Sequence, residues 1–238
     1  WDDTRGGKVE LVFVVDTSGS MYSEWADVCT VIYGGNFASG GNFKGIKPML
    51  QEGNMTVYET IYGLGNTLPG AAQSGNCATH YKNGQGPRNT ALGLTANDDS
   101  GGLRVLPGTV YNGATYSGYS GEDWGPGSNW ACLSWKDTIG NVPGNPPTSS
   151  DHKWNPNATK IVLPVSDEGP KDGDPSQQAD DTQSINEAHD NCLNAGVIPV
   201  GLYGQSYGGA GNIESHMKDL AQCPNGVVST ATRNCPGS

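Results

Sequence analysis

The sequence is short of charge, of basic residues and of long apolar runs, and each shortage narrows what the chain can do. Only 16% of its 238 residues are Asp, Glu, Lys or Arg, and acids outnumber bases 24 to 13, for a formal net charge of −11. Without a basic patch, nucleic acid and anionic lipid are poor partners, whereas a cation is a compatible one. The longest apolar run, Leu11 to Val15, falls far below the ~20 residues that a membrane-spanning helix needs, so direct membrane insertion is not expected. No signal peptide is visible, and a chain starting at Trp1 is compatible with prior removal of one.

Several motifs are missing as well. None of the six cysteines (Cys29, Cys77, Cys132, Cys192, Cys223 and Cys235) stands in a CxxC pair, and no His lies at zinc-like spacing from them, which speaks against a structural zinc site. An even, widely spread set reads as three disulfides formed outside the cytosol, with Cys223–Cys235 as a local pair and the other pairings open. GxSxG is absent, and His80, His152, His189 and His216 are scattered, two in loops and two on helices. No base is therefore placed for a nucleophile. GLGN at Gly63 and GGAGN at Gly208 lack the helix context of a dinucleotide fingerprint.

What the chain has in quantity is turn-formers: 36 Gly and 15 Pro, beside abundant Asn, Ser and Thr, which favour a scaffold with extensive ordered loops. Two sequons, Asn54-Met-Thr56 and Asn157-Ala-Thr159, suit an exported, glycosylated chain. Regular structure is concentrated in two stretches. Val9 to Val15 (VELVFVV) is an apolar, β-branched run of the kind a parallel strand covered on both faces shows. Met21, Trp25, Val28, Cys29 and Ile32 then recur at helical spacing up to Gly34–Gly35, and Met55 to Tyr62 alternates like a strand. From about residue 63 to 121 the chain becomes Gly, Asn, Ser and Tyr-rich, with one strand expected at Leu103 to Val110; it reads as a loop-rich insertion within a single domain spanning 1–238, long enough to be functional. Beyond it, the pattern predicts a helix over Trp124 to Ile139, a buried strand over Lys160 to Val165, a helix over Asp181 to Ala195, a strand over Val197 to Tyr203, a helix over Asn212 to Ala221 and a short strand over Gly226 to Ala231. Such alternation predicts an α/β fold, a doubly wound, mainly parallel Rossmann-like sheet flanked by helices, in which ligands bind beyond the carboxyl ends of the strands.

The spacing Asp16-x-Ser18-x-Ser20 stands directly after the first buried strand. In a sharp loop, alternate residues can turn toward one point, and a carboxylate with two hydroxyls makes a hard, all-oxygen site suited to Mg²⁺. The plainer reading is that Asp16 and Ser18 cap the next helix. A second acid, Asp167, follows the Lys160 strand in VSDEGPKDGD, so two parallel strands would release carboxylates at one edge. This combination resembles the von Willebrand factor A family, whose metal-ion-dependent adhesion site is written DxSxS plus a Thr and an Asp on separate loops. The likeness covers the opening strand, the following helix and Lys160 to Leu220; the middle third does not align. It implies one Mg²⁺ (or Ca²⁺ or Mn²⁺) bound directly by Ser18 and Ser20, and directly or through water by Asp16 and Asp167. The family's Thr is replaced: GYSGEDWGPG puts Glu122 at that position, while Thr90 and Thr115 lie in the insertion. A carboxylate there would lower the ion's net charge, weaken its pull on an acidic partner and favour Ca²⁺ or a structural ion.

The loop Asp167 to Asp181 holds six carboxylates. It reads either as a solvated acidic segment with Asp180 or Asp181 capping the helix, or as a second, calcium-like site using Asp172 and Asp174. Tyr111, Tyr116, Tyr119, Tyr203 and Tyr207, interleaved with Gly and Ser, suit an adaptable protein-binding surface or ordinary loop packing. The expectation is thus a non-catalytic extracellular domain, similar to von Willebrand factor A, that binds a divalent cation. It would contact a protein ligand or a self-assembly partner through its metal face or its insertion, at a cell surface or in a filament. The alternatives are a metal-dependent hydrolase using the same carboxylates and an intracellular chaperone- or chelatase-type module.

Overall fold

The computed structural model describes residues 7–16, 21, 24–37, 39–63, 110–111, 114–115, 124–133, 154–170, 179–204 and 210–221. Strand β1 (Lys8–Val15) is buried from Val9 onward, as its β-branched run requires. It pairs in parallel with β4 (Thr56–Gly63) on one side and with β7 (Thr159–Ser166) on the other. The outer edge beyond β7 is built from two short pieces, β8 (Val197–Pro199) and β9 (Leu202–Tyr203), both parallel to β7. The result is a mainly parallel central sheet flanked by helices, an α/β fold. Two small antiparallel pairs lie off it: β2 (Gly35–Asn36) with β3 (Asn42–Phe43), and β5 (Val110–Tyr111) with β6 (Ala114–Thr115).

The expected single strand over 197–203 is split into two pieces that keep one register on β7. Between them Val200 continues the ladder with a bond to the Val162 carbonyl at 2.9 Å. At Gly201 a Cβ would come within 2.5 Å of Met217 Cβ, so glycine is the residue that fits against Met217 there. Helix α1 (Trp25–Tyr33), α2 (Ile46–Glu52), α3 (Trp124–Cys132), α4 (Ala179–Asn194) and α5 (Ala210–Ala221) complete the described elements. Pattern reading did not foresee α2, a short helix with no fully buried residue, whose Ile46 and Leu50 pack only partly buried against the core. The helix expected over 124–139 is described only as far as Cys132, with Leu133 in a turn. The strands expected over 103–110 and 226–231 lie largely or wholly outside the described residues, as do most of the 63–121 insertion and the Cys223–Cys235 pair.

Side-chain alternation separates the two faces of the sheet. Phe13, Val15, Leu163, Val165 and Leu202 share one face through the registers Phe13↔Leu163, Val15↔Val165 and Val165↔Leu202. Phe13, Val165 and Leu202 line a cavity of about 410 Å³ together with Met21, Val28 and Ile32, so α1 covers that face. On the other face, buried Glu10 accepts a hydrogen bond from the Asn155 backbone at 2.6 Å, and neighbouring Trp154 donates to the Ala131 carbonyl of α3 at 3.0 Å. Helices α3 and α4 occupy that side, joined by the buried disulfide Cys132–Cys192. Cys29 is also disulfide-bonded, and none of the described cysteines is free.

Candidate metal centre

The chain steps from β1 to β4 on one side, then returns to lay β7 on the other side of β1, with β8 and β9 continuing outward. Strand order therefore reverses between β1 and β7. Connections leaving these two strands head in opposite directions and open a crevice at their carboxyl ends, the place where α/β sheets bind ligands. Asp16 and Asp167 are the first residues past β1 and β7, and both are buried, at 0% and 3% exposure. A buried carboxylate is costly unless hydrogen bonds or a cation compensate it.

The bonding around these acids is specific. Asp16 donates its backbone N–H to the Val165 carbonyl at 2.9 Å, extending the β1–β7 ladder by one residue. That register puts Asp16 beside Ser166, and the fully buried Ser166 hydroxyl donates to Asp16 Oδ2 at 2.7 Å. The same oxygen accepts the Glu168 N–H at 3.0 Å, so its one proton is directed at Asp16 rather than at the more distant Glu168 carbonyl, 3.4 Å away. Asp167 follows on the opposite face, where Gly204 backs it. A Cβ at Gly204 would meet Asp167 Cβ and Glu24 Cγ, each at 3.4 Å.

The turn carrying Asp167 is clamped by α3. Trp124 Nε1 donates to the Glu168 carbonyl at 3.0 Å and the Gly125 N–H to the Pro170 carbonyl at 2.9 Å. Gly125 is needed there, since a Cβ would fall 2.8 Å from Ser184 Oγ and 3.1 Å from Pro170 O. Every residue of this helix is buried; Ser128 donates to the Trp124 carbonyl at 2.7 Å and Asn191 of α4 to Asn129 at 2.9 Å, while the Trp130 indole N–H is buried without a partner among the described residues. Pro126, in the first turn, removes an N–H that has no helical acceptor.

Of the predicted ligands, Asp16 and Asp167 stand at neighbouring strand ends of one sheet edge. Ser18, Ser20 and Glu122 lie outside the described residues, as do Asp172 and Asp174 of the proposed second site and the alternatives Thr90 and, for its side chain, Thr115. Among the described residues no cluster of three or more His, Cys, Asp or Glu could hold a metal ion. By their chemistry, a carboxylate with a serine hydroxyl on it, as at Asp16, and a second carboxylate at Asp167 are hard oxygen donors of the kind Mg²⁺ or Ca²⁺ takes in preference to a soft metal, although Asp167 leaves its strand on the face opposite Asp16. Sequence reasoning missed Ser166 and Trp124. Ser166 looked like the last residue of a strand, and its signal was only that its parity matches Asp16 once β7 is known to neighbour β1. Trp124 was read as the start of a helix, not as a clamp on the second acid's loop. No family model matches the chain, and no curated protein matches it.

Proposed function

We propose that the chain is a domain of the von Willebrand factor A type that holds one divalent cation at the β1–β7 crevice and uses it to contact other proteins outside the cytosol. The observation that carries this reading is the pair of buried acids at adjacent strand ends on the switch point, one of them oriented by Ser166. Ser18, Ser20 and Glu122 would complete the oxygen set from the loops that follow β1 and precede α3. The ion would supply a Lewis-acidic centre for a carboxylate of the partner, or a fixed structural charge if Glu122 takes up the coordination. The Cys132–Cys192 bridge supports an oxidising compartment and is hard to reconcile with a cytosolic chaperone or chelatase. The hydrolase alternative uses the same acids but has no placed base.

Titration calorimetry with Mg²⁺ and Ca²⁺ tests the metal site directly. Saturable binding is expected, lost in Asp16→Asn; absence of binding to the wild-type protein overturns the reading. Ligand distances of about 2.0–2.1 Å with six oxygens would mark Mg²⁺, and about 2.3–2.6 Å with more ligands Ca²⁺. Sedimentation velocity in Mg²⁺ and in EDTA tests the assembly form of the proposal, which expects self-association only with metal. Metal-dependent phosphoester or peptide turnover abolished by Asp16→Ala would establish the hydrolase instead.

A further inference from the structure

Helix α5 is docked through a side it would not choose for apolar packing alone. Its buried residues are Ile213, His216, Met217 and Leu220, positions i, i+3, i+4 and i+7 of one face. His216 is fully buried, and neither of its ring nitrogens has a hydrogen-bond partner among the described residues. Across the seam, His189 of α4 is 4% exposed, its Nδ1 is 2.8 Å from the Leu220 carbonyl and its Nε2 is buried without a partner. A carbonyl only accepts, so Nδ1 carries a proton and the ring ties α4 to the last turn of α5. Among the described residues, three buried imidazole nitrogens on these two packed helices are thus left without acceptor or donor, where a nonpolar residue would leave no hydrogen bond unmade.

We propose that the α4–α5 seam is a proton-sensitive latch, in which acidification charges His216 within the seam and releases α5 from the sheet edge. The latch stands on the two histidines and is independent of the metal reading. Burial pushes the His216 imidazole below its ordinary value of 6.5, against an opposing attraction from Asp219. The unfolded ring takes its proton at about 6.5 and the docked ring only at lower pH. Docking therefore has its full stability above pH 6.5 and loses it as the pH falls below that value.

Among the described charged groups of the packed elements, Asp219 is the one that attracts an imidazolium at His216, and Glu187 of α4 keeps one carboxylate oxygen buried. On α5, Glu214 and Lys218 bond each other at 2.5 Å on the solvent side, and Tyr203 of β9 bonds Glu214 in turn. Asp219 is exposed, and on α4 Asp190 is exposed and Glu187 half-buried. Release would travel to the sheet, because Met217 lies against the Gly201 backbone between β8 and β9.

Hydrogen exchange of α5 amides on the full chain, expressed as protection factors at pH 7.5, 6 and 5, tests the latch. Each pH unit below 6.5 should raise the opening constant by up to about tenfold through His216. Protection over 213–220 should therefore fall by roughly tenfold or more at pH 5 while β1 and β7 amides stay protected. His216→Leu, close in volume, should hold α5 protection within about twofold across the range. Unchanged α5 protection in the wild type, or an equal loss in His216→Leu, overturns the proposal. Should that variant fail to fold, the His216 ring proton shift in the wild type decides. Titration together with α5 exchange supports the latch, and titration at the ordinary value with α5 still docked defeats it.

Discussion

Ser166 shows how one hydroxyl can set the electrostatics of a site. It is buried, it receives the Glu168 N–H, and it points its only proton at Asp16 Oδ2. Hydrogen bonds to a charged group contribute about 1.5–3 kcal/mol. Ser166→Ala should therefore lower unfolding free energy by roughly that amount in urea denaturation. It should also weaken metal binding by about 10–100-fold, as the loss of an orienting partner typically does; the same calorimetric titration reads the second effect. Gly201 makes a comparable point about space. With Met217 Cβ 2.5 Å from where a Cβ would stand, Gly201→Ala forces α5 off the strand, and a loss of about 1–3 kcal/mol is expected. Gly204→Ala, whose Cβ would find ordinary contacts at 3.4 Å, should cost much less, and the two variants melted side by side check the contrast.

At the scale of elements, α3 and α4 behave as one unit. The Cys132–Cys192 bridge closes a sequence separation of 60 residues, and a bridge across a loop of that size stabilises by about 2–4 kcal/mol, chiefly by restricting the unfolded chain. The double substitution Cys132→Ala/Cys192→Ala should lower the denaturation midpoint accordingly without changing the sheet registers. Because α3 clamps the Glu168–Pro170 turn, Trp124→Phe should loosen that turn while keeping most of the apolar packing. The expected readout is faster amide exchange at residues 167–170 with α4 unaffected. Of the helices foreseen from pattern, α1, α4 and α5 each carry an apolar stripe at 3.6-residue spacing, and their inward residues Val28, Cys29, Ile32, Ile185, Ala188, Cys192, Ile213, Met217 and Leu220 are all buried. Helix α2 offers only a one-turn stripe, Ile46, Met49 and Leu50, with no residue fully buried, and the gap between β8 and β9 lies where Met217, remote in sequence, meets the Gly201 backbone.

On the scale of the whole molecule, a ligand that binds only the folded chain stabilises it by mass action. At a free metal concentration of one hundred times Kd the gain is about 2.7 kcal/mol, which for a chain of this size raises Tm by roughly 5–10 °C. Calorimetric scans with saturating Mg²⁺ or Ca²⁺ and with EDTA should show that difference in the wild type and none in Asp16→Asn. Its absence in the wild type would mean the crevice holds no ion. The residues of the site divide in the same way as the fold. Asp16 and Asp167 were legible because each follows an apolar strand, and an acid at that point has few reasons to be there.

By itself, the sequence determined the central strands and the helices with long apolar stripes, the faces these bury and the acids that end the two central strands. Periods of 2 and 3.6 are properties of single elements and can be read without knowing their neighbours. Only the tertiary structure decided that β7 lies beside β1, that Ser166 therefore meets Asp16, that Cys132 pairs with Cys192, and that two histidines are sealed between α4 and α5. Those facts depend on which distant segments touch, and a serine, a cysteine or a histidine looks the same in sequence whichever neighbour it acquires.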